Sequence, residues 1–164
     1  MNRKLSLAVV VFSAFAVAVP AFAAPQAPAG PNYPDTVTNY VKSVRKTVKT
    51  TDMAGYLAAV KDPKGALLLD VREPEEYQSG HIPGTVNIPR GLLEFAIYKQ
   101  LGFPKKTVDT SQTIYVQCRT GGRATLATDS LKKIGFTNPV AVVMDIADWE
   151  KAGNPWVKPA AMKK

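Results

Sequence analysis

The sequence predicts an α/β fold in which a mostly parallel central sheet is flanked by helices. Short apolar runs alternate with helix-like segments between residues 47 and 151, in the order strand then helix, five times over. Such alternation is typical of parallel sheets, because each helix returns the chain to the edge where the next strand begins. The run Ala66-Leu67-Leu68-Leu69 is apolar without interruption, which suits a strand that is covered on both faces.

The first 23 residues have the pattern of a secretory signal peptide, separate from the domain. Arg3 and Lys4 precede an uncharged, mostly apolar run over residues 5–19, and Ala21-Phe22-Ala23 forms a small-x-small cleavage signature. The run is shorter than the ~20 residues that span a bilayer, so we expect cleavage after Ala23 rather than stable membrane insertion. An uncleaved anchor is the alternative. The pattern predicts an exported protein, in the periplasm.

Charge and composition limit the partners. The formal net charge is +8, and loss of the two basic residues in the signal peptide would leave +6. Export and the scattered distribution of the lysines argue against nucleic-acid binding. Residues 24–34, with four prolines, are predicted to be a flexible linker rich in Pro and Ala, and residues 159–164 a disordered tail.

The domain proper is predicted over residues 35–158. A helix over 35–48 precedes the alternating elements, although residues 47–50 could instead form the first strand, and the sequence leaves this boundary open. The predicted elements then follow as helix 52–60, strand 66–69, helix 73–77, strand 86–88, helix 92–101, strand 114–116, a helix from 123 to about 134, strand 140–143 and helix 145–151.

Cys118 is the only cysteine, and it lies where a strand passes into a helix. Gly121-Gly122 permits a sharp turn with its N–H groups directed inward. The helix N-terminus and the charges of Arg119 and Arg123 favour a thiolate over a thiol, so we predict a reactive sulfur. A small buried side chain without a chemical role is the alternative.

Four blocks of the sequence resemble the single-domain rhodaneses, a family of sulfurtransferase modules, and together they cover residues 47–158. The blocks are Leu69-Asp70-Val71-Arg72 with Glu76-Tyr77, then Gly80-His81-Ile82-Pro83-Gly84-Thr85-Val86-Asn87-Ile88-Pro89, then Cys118-Arg119-Thr120-Gly121-Gly122-Arg123-Ala124, and finally Trp149, Gly153 and Pro155. The resemblance implies a rhodanese-like three-layer fold.

The resemblance also implies a reaction without metal or organic cofactor. Cys118 would take a sulfane sulfur from a small anionic donor such as thiosulfate, hold it as a persulfide, and pass it to a thiol, to a cyanide-like acceptor or to a protein. The implied substrate-binding residues are Arg119, Thr120, Gly121, Gly122 and Arg123. Related phosphatases have five residues between cysteine and arginine where this chain has four, which favours sulfur over phosphate.

Two other functions and several other residues enter the hypothesis. A sulfur-relay module with little activity on thiosulfate is one alternative, and a small phosphatase is another. Asp70 and Arg72 are expected to form a structural ion pair near the site, although a catalytic carboxylate and a substrate clamp are conceivable. His81 is expected to fix a turn, although it could act as a base for Cys118. One cysteine and one histidine cannot build a metal site.

One departure from the family pattern leaves the shape of the site open. Met144-Asp145 stands where the family often has a glycine pair, close to the cysteine.

Overall fold

The computed structural model describes residues 34–158. The predicted signal peptide, nearly all of the predicted linker and the predicted tail lie outside the described residues. Within residues 34–158, every helix is too short or too polar to cross a membrane.

Five parallel strands form one sheet, which confirms the predicted fold class. They are β1 (Lys49–Thr51), β2 (Leu67–Asp70), β3 (Val86–Asn87), β4 (Ile114–Gln117) and β5 (Pro139–Val142), and their order across the sheet is β1-β5-β4-β2-β3. Every neighbouring pair is parallel. The carboxyl ends of the strands therefore meet at one edge, where α/β folds build their sites.

Helices cover both faces of the sheet and complete three layers. They are α1 (Asp35–Arg45), α2 (Met53–Lys61), α3 (Pro74–Gln78), α4 (Leu93–Gln100), α5 (Gly122–Lys133) and α6 (Ile146–Lys151), with a 3₁₀ turn at Arg90–Leu92. One core cluster joins α4 and α5 to the sheet, and a second joins α2 and α6 to the opposite face. The alternation of side chains along each strand supplies both clusters.

The predicted helix over residues 35–48 is too long at its C-terminal end. The observed α1 ends at Arg45, and Lys49–Thr51 pairs with β5 as an edge strand. The Thr47 hydroxyl donates to Val44 O at 2.8 Å, and the Lys132 ammonium donates to Thr47 O at 2.6 Å. These two hydrogen bonds hold Thr47 just after the end of α1. The strand depends on pairing with residues about 90 positions away, a contact that helical periodicity cannot reveal.

Backbone hydrogen bonds continue beyond the strand ends and connect three segments at the carboxyl edge. The Val71 N–H donates to Gln117 O at 2.9 Å, and the Arg90 N–H donates to Val71 O at 3.2 Å. Gln117 directly precedes Cys118, so this chain of contacts links the cysteine to the 3₁₀ turn that opens α4.

Candidate functional site

Residues 118–123, here called the cysteine loop, connect β4 to α5. Gly121 has φ of 84° and directly precedes the helix. A Cβ atom at this position would lie 3.0 Å from Val143 Cα and 3.2 Å from Val142 O. Both the left-handed conformation and the close approach of β5 therefore require glycine here.

Gly122 has a different role from the one its sequence context suggests. It is the first residue of α5, it lacks a positive φ, and a Cβ atom there would meet open space. The turn that we attributed to the glycine pair is thus made by Gly121 alone. The missing side chain at Gly122 instead leaves the N-terminus of α5 uncovered.

The Cys118 sulfur is buried and held by main-chain donors. Its side chain is 2% exposed. The N–H groups of Gly121 and Ala124 point at Sγ, with N···S distances of 3.2 and 3.4 Å. Such donors at a helix N-terminus stabilise negative charge on the atom that they face.

Two further N–H groups at the same helix end remain available for a ligand. Gly122 and Arg123 occupy the first turn of α5, where backbone N–H groups have no acceptor within the helix. Neither N–H group has a hydrogen-bond acceptor among residues 34–158. The cysteine loop therefore offers a small anion two donors beside the sulfur.

Arg119 and Thr120 are exposed residues of the loop. The Arg119 carbonyl accepts a hydrogen bond of 2.8 Å from the Ile146 N–H, which fixes its backbone. In the described part of the chain, no carboxylate pairs with the Arg119 guanidinium. Arg119 therefore contributes an uncompensated positive charge at the loop.

Arg123 is held by a carboxylate from α3. Its two terminal nitrogens bind Glu76 Oε2 and Oε1 at 2.6 and 2.8 Å, and Glu73 lies 3.8 Å away. The hydrogen bonds that Arg123 donates to the Glu76 carboxylate lower the pKa of Glu76, and the same bonds raise the pKa of Arg123. Much of the charge that the sequence predicts for substrate binding at Arg123 is thus compensated within the protein.

The buried ion pair of Asp70 and Arg72 holds α3 and the turn that follows it. Arg72 Nη2 lies 2.7 Å from Asp70 Oδ2, and both side chains are buried. The same guanidinium donates to the carbonyls of Glu76 and Gly80 at 3.0 and 2.9 Å. A planar group with several fixed donors suits this task. The pair therefore holds the segment that carries Glu76.

His81 contacts the turn rather than the cysteine. Its ring stacks on Tyr77 with centroids 4.0 Å apart, and Nδ1 lies 3.2 Å from Tyr77 O. Its backbone exchanges hydrogen bonds with Val157. Both hydrogen bonds to Cys118 Sγ come from backbone N–H groups of the cysteine loop and α5, so the structure contains no Cys–His pair at this site.

The segment after β5 packs against the cysteine loop without needing glycine. Met144 and Asp145 both lack a positive φ. Met144 packs against the second core cluster, and the Asp145 carboxylate accepts the Ala147 N–H at 2.9 Å as the cap of α6. Val143 contacts Gly121, so the wall of the loop is built from ordinary side chains.

Three polar residues around the site were not identified from the sequence. Glu76 and Asn87 were each part of a motif without an assigned role. Asn87 donates to the carbonyls of Asp70 and Arg72 at 3.0 and 2.9 Å, which ties β3 to the end of β2. Gln117 is fully buried, and neither polar atom of its side chain has a partner among the described residues. Only Glu76 carried a local signal, the spacing of a capping box with Glu73.

Comparison of the sequence with known proteins identifies a domain family. The sequence profile of the rhodanese-like domain matches residues 53–152. A putative mitochondrial thiosulfate sulfurtransferase from Schizosaccharomyces pombe is 35% identical over 109 residues, which covers 60% of this chain and 75% of that protein.

Other relatives are longer or more distant. The putative sulfur carrier protein YrkF from Bacillus subtilis is 38% identical over 82 residues, half of this chain but only 40% of that protein. The polysulfide-sulfur transferase homodimer from Wolinella succinogenes superimposes with a TM-score of 0.63 at 22% identity, covering 79% of this chain and 93% of that chain. A similarity at that level of identity concerns the fold alone.

Proposed function

The chain belongs to the rhodanese-like domain family, and we propose that it is a sulfurtransferase that carries a sulfane sulfur on Cys118. The observation that carries this proposal is the pair of N–H groups directed at Cys118 Sγ at the start of α5. A thiolate and a persulfide are both anions, and preorganised donors stabilise both. Relatives described as a thiosulfate sulfurtransferase and a sulfur carrier support sulfur transfer in general.

The reaction is a double displacement with thiosulfate as the donor. The Cys118 thiolate attacks the outer sulfur of thiosulfate, the S–S bond breaks, and sulfite leaves with the bonding pair. Cys118 then holds a persulfide. A thiolate or cyanide acceptor attacks the outer persulfide sulfur, the second S–S bond breaks, and Cys118 leaves as the thiolate. Oxidation states balance over the two steps without any further reagent.

The cysteine loop would bind the donor through its main chain and its outer edge. The free N–H groups of Gly122 and Arg123 suit the sulfonate oxygens, and Arg119 and Thr120 are exposed in the same loop. Gly121 supplies an N–H group to the sulfur. The spacing of four residues between Cys118 and Arg123 supports sulfur rather than phosphate as cargo.

A second candidate is a relay module that receives its sulfur from another protein and uses thiosulfate poorly. One observation favours it. The charge of Arg123 is shared with Glu76, so Arg119 is the one arginine beside the sulfur whose charge is uncompensated within residues 34–158. A divalent anion such as thiosulfate gains less from such a site than from one with two free arginines.

Intact-mass measurement after incubation with thiosulfate tests both candidates. The sulfurtransferase predicts that Cys118 gains the mass of one sulfur atom and that cyanide removes it, with many turnovers per protein. A relay module predicts no gain from thiosulfate but gain from a protein persulfide. Absence of any sulfur adduct on Cys118 with every donor would reject both candidates.

We also propose that the protein is exported and cleaved after Ala23, on the signal-peptide pattern of its first residues. N-terminal sequencing of the protein recovered from the periplasm, the cytoplasm and the medium tests this. A chain that begins at Ala24 in the periplasmic fraction is the expected result. A protein found only in the cytoplasm, with residues 1–23 retained, would contradict it.

A further inference from the structure

One face of α4 exposes apolar side chains that the core does not need. Leu92 is 58% exposed and Phe95 is 87% exposed, whereas Leu93 and Ile97 are fully buried on the opposite side. Leu92, Phe95, Ala96 and Lys99 follow one another at helical spacing, and we call this stripe the α4 face. Contiguous exposed apolar surface of this kind is a mark of an interaction site.

The α4 face begins at the same edge of the sheet as Cys118. Its first residues follow β3. The Arg90 N–H donates to Val71 O, and the Val71 N–H donates to the carbonyl oxygen of Gln117, the residue before Cys118. Only β2 separates β3 from β4. Strands lie ~4.8 Å apart, so the start of the face is about 10 Å from the cysteine loop. A partner seated on the α4 face therefore lies beside the cysteine loop.

A groove gives the face a shape that a partner can fill. It measures about 410 Å³ and runs between β3 and α4, lined by Asn87, Ile88, Pro89, Leu92, Ala96, Lys99 and Gln100. β3 is the edge of the sheet, and Pro89, two residues after its end, has no N–H to donate. Side-chain contacts rather than strand addition would therefore hold an occupant.

Lys99 lines the groove, two more lysines follow α4 in the chain, and this positive charge favours an acidic occupant. Lys99, Lys105 and Lys106 make no ion pair within residues 34–158. The Lys106 side chain lies across Gly102 at the end of α4, where a Cβ atom would overlap it. Glu94, the one acidic residue on the helix, is neutralised by Arg90 at 2.9 Å.

We propose that the α4 face docks an acidic protein thiol that takes the sulfur from Cys118. This inference rests on the proposed function and names the acceptor for the second step. The acceptor thiolate attacks the outer persulfide sulfur, the Cys118 S–S bond breaks, and the acceptor leaves as the persulfide. Apolar side chains anchor the acceptor at Phe95 and Leu92, and its carboxylates face the lysines.

Two synthetic peptide thiols serve as probes of this surface. Each carries one cysteine with the same leucines and phenylalanines, and the two peptides differ only in having glutamates or lysines. With Cys118 loaded by thiosulfate, we expect the acidic peptide to accept sulfur about tenfold faster than the basic one at low salt, and the preference to fall as salt is added. Cyanide turnover is measured in parallel.

Two variants locate the effect on the α4 face. Phe95→Ser is expected to slow transfer to the acidic peptide about fivefold, and Lys99→Glu is expected to remove the preference for the acidic peptide. Neither should change cyanide turnover. Tyr40→Ser and Lys42→Glu, at exposed positions on α1, are matched controls that should leave peptide transfer unchanged.

Each outcome decides between the hypotheses. Equal rates for the two peptides, or equal effects in the α1 controls, would overturn the docking surface while normal cyanide turnover leaves the proposed function standing. Failure of cyanide turnover in the unmodified protein would overturn both. Sedimentation of the protein as a dimer that Phe95→Ser converts to a monomer would instead assign the face to a contact between two copies.

Discussion

The two arginines of the cysteine loop carry the same charge but have different surroundings. Arg119 is exposed and has no carboxylate partner in the described part of the chain, whereas Arg123 forms a two-point ion pair with Glu76. Arg119 is free to meet an incoming anion. Arg123 ties α5 to α3 and fixes the end of the loop. The comparison shows that one arginine of the loop is available for binding an anion, whereas the other stabilises the structure.

The two glycines between them differ in the same way. Gly121 has a left-handed conformation against β5, whereas Gly122 has a helical conformation next to open space. One glycine makes the turn, and the other leaves a helix end accessible. Arg123 and Gly121 thus stabilise the structure of the loop, whereas Arg119 and Gly122 leave positive charge and N–H groups available to a ligand.

The largest expected effect on activity comes from removal of the Cys118 sulfur. Cys118→Ser should reduce sulfur transfer from thiosulfate to cyanide by more than about a thousandfold, because a hydroxyl cannot form the persulfide. Steady-state rates and intact mass check this, and circular dichroism confirms that the fold is intact. Activity that persists in this variant would remove the cysteine loop from the chemistry.

The next largest effect separates the two glycines. Gly121→Ala should lower the free energy of unfolding by roughly 2 kcal/mol, because it strains the backbone and forces a Cβ atom against Val143. Gly122→Ala is the matched control and should change it by less than about 1 kcal/mol, in the stabilising direction. Urea denaturation measures both. Equal losses would show that the glycines share one role.

A smaller effect distinguishes the arginines by substrate charge. Arg119→Ala should reduce kcat/KM for the thiosulfate dianion by about tenfold, and that for a singly charged alkyl persulfide by only about threefold, because the donor with the larger charge loses more Coulomb energy. Its unfolding midpoint should not move. Arg123→Ala should instead lower the unfolding midpoint, since it leaves Glu76 without its partner. If both variants lowered the midpoint equally, the division between the arginines would be wrong.

The smallest effect concerns pH. The pKa of Glu76 lies below its ordinary value of 4.5, chiefly because Arg123 donates hydrogen bonds to it. A lowered carboxyl pKa contributes stability that is complete above the unfolded value and is lost as the pH falls through the folded one. Glu76→Gln should thus destabilise the protein near pH 7 by roughly 0.5–1 kcal/mol, given partial exposure of the pair.

The free energies of unfolding of the unmodified protein and of Glu76→Gln should converge as the pH falls below about 4.5. Urea midpoints between pH 3 and pH 7 measure this. A gap that is constant over that range would mean that the carboxylate of Glu76 is not what holds Arg123.

The fold was predictable because its signals are local. Uninterrupted apolar runs such as Leu67 to Leu69 mark strands buried on both faces, and helical spacing marks the segments between them. The first strand was harder to delimit, because Lys49–Thr51 has no apolar pattern and is held in place by its pairing with β5. Contacts between distant residues decided the one boundary that the sequence left open.

The site was predictable to the extent that it depends on neighbours in the chain. A cysteine followed by glycines at a strand-to-helix junction indicated the cysteine loop. The pairing of Arg123 with Glu76 joins residues 47 positions apart, so nothing in the local pattern showed that the charge was already compensated. The same holds for the unequal glycines, whose difference depends on the position of Val143.

The sulfur of Cys118 is held by main-chain N–H groups, and this has a consequence for how the protein can diverge. The contacts from Gly121 and Ala124 depend on backbone conformation, so the side chains at positions 119, 120 and 122 can change without removing them. Substitutions at these positions can then change the substrate specificity while the hydrogen bonds to the sulfur stay the same. A scaffold of this kind separates the evolution of specificity from the evolution of chemistry.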